Sequence, residues 1–142
     1  MEQNYKNHAR LVTGYHGILT LFILSGLTGS IFNLYGSWNN ESFYSASLIT
    51  LLFVCCCLLF WYTRSFPLKA QDRAIRSEEN FRHYILTGKP LPSELKMGQI
   101  IALRFASDEE FPKLVQRTLS ENLDPKTIKQ AIQNWKPDYY RV

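Results

Sequence analysis

Two long stretches without a charged side chain govern what this chain can fold into. From Leu11 to Asn40, and again from Ser42 to Thr63, there is no Asp, Glu, Lys or Arg, and Glu41 alone separates them. A helix crosses roughly 30 Å of hydrocarbon with about 20 mainly apolar residues, which each stretch supplies. Soluble helices of that length carry a polar face, and neither of these does. A cleaved signal peptide would show a shorter apolar run and then a polar mature chain; here a second apolar run follows at once.

The 142-residue chain therefore reads as an all-α membrane protein, a two-helix transmembrane hairpin followed by a small cytosolic helical domain. The expected order is an N-terminal arm over 1–10, a first span over 11–35, an external turn over 36–41 and a second span over 42–63. A juxtamembrane helix and linker over 64–92 and a three-helix domain over 93–142 complete it. Lys6 and Arg10 precede the first span, Arg64, Lys69, Arg73 and Arg76 follow the second, and the turn has neither Lys nor Arg. The positive-inside rule then places both termini in the cytosol. Tyr15, Tyr35, Trp38, Phe43, Tyr44, Trp61 and Tyr62 fall where amphipathic rings meet the membrane interfaces.

Beyond the spans, local signals mark helix ends. Ser65 and Pro67 predict a break and a fresh helix over Leu68–Thr87, stopped by Gly88 and the prolines Pro90 and Pro92. Met97, Ile100, Ile101 and Phe105 form the apolar stripe of the next helix. Ser107 to Glu110 reads as a capping box for a helix presenting Phe111, Leu114, Val115 and Leu119, with Pro112 rather deep in its first turn. Asn122 suits a stop, and Asp124-Pro125 opens a last helix carrying Ile128, Ala131, Ile132 and Trp135. Arg104 interrupts its stripe and is read either as an ordinary surface arginine or as a partner for the acidic turn Asp108–Glu110 or for another protein.

Several residues are candidates for function. Ser25, Gly26, Gly29 and Ser30 repeat small residues four apart, a spacing that lets a neighbouring helix approach closely; the first neighbour is the second span, then a homo-oligomer or another membrane protein. Arg64, Lys69, Arg73 and Arg76 lie where anionic lipid headgroups would be, each able to contribute about 1 kcal/mol. His16 is the one histidine within a span, about 7 Å inside the boundary at roughly 1.5 Å per residue, and Cys57 falls at a similar depth. A metal site usually wants three or four ligands, and His8 and His83 lie outside the spans. No metal or cofactor site is therefore read. His16 is expected to bond backbone or water, and Cys55, Cys56 and Cys57 to pack.

Other chemistry is not supported by the pattern. No phosphate loop follows a strand, and the carboxylates at 108–110 suit a helix N-terminus. The last two helices could imitate a DNA-binding pair, but from Glu94 to Val142 eight basic residues stand against seven acidic ones. That balance lacks a nucleic-acid binder's electrostatic footprint.

Gln3 to Arg10, Gly98 to Glu110, Ile128 to Trp135 and the ending Asp138-Tyr139-Tyr140-Arg141-Val142 together resemble a family of uncharacterised bacterial two-span membrane proteins over nearly the whole length. The resemblance implies a bacterial inner-membrane location and brings no catalytic residues. The expectation is a non-enzymatic, membrane-anchored interaction module, an accessory or assembly subunit of a larger complex. A redox or metal-linked factor using His16 and the cysteines is the alternative, and a membrane-tethered nucleic-acid binder the third.

Overall fold

The computed structural model describes residues 4–5 and 11–138. Most of the expected arm, with Lys6, His8 and Arg10, and the ending Tyr139–Val142 lie outside the described residues. Those described contain five α-helices and no strand. They divide into two compact units, described in turn, one within 11–66 and the other within 67–138 together with the residues at 4–5.

In the first unit a π-helical segment, Gly14–Leu19, leads into α1 (Thr20–Gly36). The Thr20 hydroxyl donates to the Tyr15 carbonyl at 3.2 Å, five residues back. Ser37 N–H closes the last turn on the Asn33 carbonyl at 2.9 Å. Asn39 takes the left-handed conformation, φ 67°, which asparagine tolerates better than most residues. The chain then enters α2 (Phe43–Thr87), 45 residues long.

The two apolar helices meet through side chains. Phe53 lies against Gly26 so closely that a Cβ there would sit 2.1 Å from the ring. The Thr50 hydroxyl lies 3.1 Å from the Ser30 carbonyl and 3.0 Å from that of Ala46, so it serves the neighbouring helix as well as its own. Tyr15 stacks on Phe60, centroids 4.4 Å apart, and donates its hydroxyl to the Phe60 carbonyl. Gly14–Gly36, the π segment with α1, and α2 are each long and apolar enough to cross a membrane, their most apolar 18-residue windows having mean hydropathies of 1.7 and 2.3.

The break expected at Ser65-Pro67 does not occur, because α2 continues through Pro67. Ser65 bonds back to the Tyr62 carbonyl at 3.5 Å instead of capping a new helix. Proline forfeits one hydrogen bond within a long helix, whereas a break would orphan several backbone groups on each side. The helix ends where expected, with Gly88 at φ +72° and its N–H on the Tyr84 carbonyl.

In the second unit α3 (Met97–Leu103), α4 (Phe111–Glu121) and α5 (Pro125–Ala131) enclose a core with Ile75 of α2. Leu95, Ile100, Leu103, Phe105, Phe111, Val115 and Ile128 are its largest apolar members, each at most 2% exposed. Asn122 stops α4 in the left-handed conformation, φ 47°, and Asp124 caps α5 by accepting from Thr127 N–H at 3.0 Å. Both ends match their sequence signals.

Other details differ. Phe105 lies beyond α3, yet it is buried, facing Trp135 at 5.2 Å. Helix α5 ends at Ala131, because the following chain turns extended and pairs Trp135 with Ala106. Only half of the capping box forms: Ser107 Oγ accepts from Glu110 N–H at 3.4 Å. The Glu110 carboxylate instead accepts from Gln133 N–H and Asn134 N–H, holding the segment after α5. With α4 starting at Phe111, Pro112 sits comfortably in its first turn. Leu119 is 37% exposed, and Thr118 takes the buried position on that helix.

Candidate functional site

The small residues of α1 divide between two faces. Gly26 and Ser30 serve the contact with α2, since Phe53 fills the space over Gly26 and Ser30 is buried. Ser25 is exposed, and a Cβ on Gly29 would meet nothing within 4 Å. The four residues expected to form one packing face thus split into an occupied half and an open half.

His16 and Cys57 belong to the same unit, but His16 turns to its own backbone. Its Nδ1 lies 3.1 Å from the Val12 carbonyl and 3.2 Å from Val12 N–H, and its ring meets Tyr15 edge-on at 5.2 Å. The group that reaches the start of the first apolar helix from α2 is Phe60. Cys55, Cys56 and Cys57 are free thiols. Among the described residues no three His, Cys, Asp or Glu side chains gather as a metal site would require.

Arg64 is half-buried, while Lys69, Arg73 and Arg76 are exposed. The richest polar constellation lies in the second unit around Arg82, a residue whose i, i+3 spacing from Glu79 reads in sequence as a solvated helix surface. Arg82 Nη1 donates to Glu79 at 3.1 Å, Nε to Asp108 at 2.6 Å and Nη2 to the Ala106 carbonyl at 2.7 Å. The guanidinium also lies 4.4 Å from the centre of the Phe111 ring. A planar fork with five donors suits this arrangement as an ammonium would not.

The two carboxylates respond in opposite directions. Burial pushes the Glu79 pKa up despite the adjacent Arg82, because desolvation outweighs the attraction. The bond from Arg82 holds Asp108 below its ordinary value; water still reaches much of its side chain. Asp108 is thus the partner of Arg82, whereas Arg104, to which sequence offers this acidic turn as one partner, pairs with Asp138 at 3.1 Å.

An open cleft of about 590 Å³ adjoins these pairs, lined by Ala74, Glu78, Phe81 and Ile85 of α2 and by Arg104, Lys136 and Asp138 among others. Its charged side chains largely satisfy one another. Arg82 binds α2 to the α3–α4 turn, and its donors are taken by protein groups. The geometry makes it a structural clamp beside a partly apolar groove. His83 and Gln99 add similar ties: His83 Nδ1 lies 2.8 Å from the Lys89 carbonyl, and Gln99 Nε2 donates to the Leu123 carbonyl at 2.9 Å. Arg82 and Gln99 join segments 26 and 24 positions apart, whereas His83 reaches only six positions along the chain.

A family model described as a family of unknown function (DUF6526) matches residues 1–142, and the chain belongs to that family. No curated protein and no solved structure matches the chain.

Proposed function

Taking that membership as the premise, we propose that the chain is a membrane-anchored helical interaction module, an accessory or assembly subunit of a larger bacterial inner-membrane complex, with both termini in the cytosol. One observation carries the reading: only 6% of each apolar window is buried within the chain. Leu21, Phe22 and Phe32 of α1 and Leu52 and Leu59 of α2 are each more than 60% exposed. Apolar surface of that extent in water would drive aggregation, and hydrocarbon is the solvent that suits it. The role is non-enzymatic, and no cofactor is invoked.

Ser25 and Gly29 supply the contact for a membrane-protein partner, because a helix seated there meets no bulky side chain. Arg64, Lys69 and Arg76 hold the cytosolic boundary against anionic headgroups. The redox reading gains no support from His16, which bonds to its own backbone.

The test is purification of the full chain in mild detergent with Gly29→Leu as comparator. A stoichiometric membrane protein present with the parent and lost with Gly29→Leu supports the reading. A parent protein that emerges alone, or a partner indifferent to Gly29→Leu, overturns it.

A further inference from the structure

The half of α2 within the second unit carries an exposed stripe, one edge of which, at Ala74 and Phe81, also borders the open cleft. Ile75, Glu79, Arg82 and His83 face the domain interior. Ala70, Ser77 and Tyr84 lie on the opposite side, Ala74 and Phe81 stand between them and the cleft, and all five are exposed. Phe81 and Ile85 are each 65% exposed and Tyr84 56%, large apolar groups on a helix that elsewhere carries charge. Their spacing alternates four and three, from Ala70 through Ala74, Ser77 and Phe81 to Tyr84. That is the spacing of a two-stranded seam, with small residues first and aromatic ones last.

Charge complementarity selects the occupant. In a parallel pair of identical helices, a residue flanking the seam meets the residue five positions later on the other copy. Arg73 then meets Glu78 of the second copy, and the symmetry makes the pair twice. The other flanking pairs, Phe66 with Gln71 and Asn80 with Ile85, contain no like charges. Neither Arg73 nor Glu78 forms an ion pair among the described residues of its own chain.

We infer that this face, from Ala70 to Ile85, docks a second copy of the chain as a parallel helix pair with Phe81 and Tyr84 on the seam and Arg73 against Glu78 at its edge. The parallel direction rests on the membrane reading above, since copies inserted alike point the same way. About four turns of seam, roughly two heptads, are short for a free dimer, but confinement to one membrane raises the effective concentration of the second copy.

The experiment uses the full chain with Cys55, Cys56 and Cys57 replaced by Ala, purified and reconstituted into phosphatidylcholine vesicles. Ser77→Cys lies on the seam and Arg76→Cys beside it; both side chains are exposed, so neither change disturbs the core. Under mild oxidation Ser77→Cys should form a disulfide-linked dimer at least roughly fivefold more readily than Arg76→Cys, because only seam positions bring the Cα atoms within disulfide range. Adding Arg73→Glu or Glu78→Arg should lower that yield, and both together should restore it. Equal yields at 76 and 77, absence of cross-linking at both, or failure of the charge exchange to restore it each overturn the pairing. Vesicle flotation of the same samples keeps the readings apart. A chain that floats without cross-linking refutes the pairing alone, and one that cross-links without floating refutes the membrane anchor.

Discussion

Replacing Arg82 by Met removes the charge while keeping an unbranched apolar stem of similar reach. Glu79 then loses its nearest cation inside a site where both side chains are 11% exposed, and the Ala106 carbonyl loses a donor at 2.7 Å. Breaking a buried pair from one side costs about 3–5 kcal/mol. Two features favour the low end. The Asp108 side chain is 59% exposed, so water replaces much of what it loses. Glu79 can also take up a proton, towards which burial already biases it. A loss of about 3 kcal/mol corresponds to roughly a hundredfold change in the opening equilibrium.

Hydrogen exchange read by mass spectrometry on the full chain in detergent should show that fall in protection at Leu114 and Val115, both buried on α4. Arg82→Lys, which keeps the charge without the fork, should lie between. The pH dependence has a defined sign. Because the folded-state pKa of Glu79 is raised, its ionised form is the one folding penalises, and the penalty is relieved as pH falls through that raised value. Moving from about pH 7 to about pH 5 should therefore narrow the gap between Arg82→Met and the parent. Asp108 works oppositely; its lowered pKa gives stability that is lost only as pH falls below the ordinary carboxylate range. Protection within about threefold of the parent, or a gap that widens on acidification, would refute the clamp.

Thr118 is fully buried, and its hydroxyl has no hydrogen-bond partner among the described residues, so Thr118→Val should stabilise the second unit by about 1 kcal/mol in the same exchange measurement. Gly88 sits at φ +72°, and Gly88→Ala should cost about 1 kcal/mol, seen as faster exchange at the last turn of α2. Gly26→Ala forces the Phe53 ring to move and should lower stability by about 1–3 kcal/mol in a thermal melt in detergent, while Gly29→Ala, facing open space, leaves the helix contact intact.

Much of the helical outline was legible because its signals are local. The uncharged runs at 11–40 and 42–63 mark the two apolar helices, and Gly88, Asn122 and Asp124-Pro125 mark helix ends. The failures arise where a local signal competes with a distant partner. Ser107 and Glu110 have capping-box spacing, but Asn134 draws the glutamate away. The acidic turn at 108–110 is one partner that sequence offers Arg104, but Arg82 arrives there from α2 and Arg104 pairs with Asp138. Pro67 reads as a helix start, yet the turns on either side carry the helix past one missing bond. Small-residue spacing in α1 identified four positions without separating the two that face Phe53 and Thr50 from the two that face outward. That division depends on the rotation of one helix against the other, which spacing alone does not encode.

The proposed function requires that the two apolar helices cross a membrane with their connecting turn outside and the second unit in the cytosol. Single cysteines at Asn39 and Glu94, in the full chain with Cys55, Cys56 and Cys57 replaced by Ala, probe it directly with a membrane-impermeant maleimide. Asn39→Cys should be labelled in spheroplasts of the expressing bacterium and Glu94→Cys only after lysis. Equal labelling of both before lysis, or recovery of the chain in the soluble fraction, would contradict it.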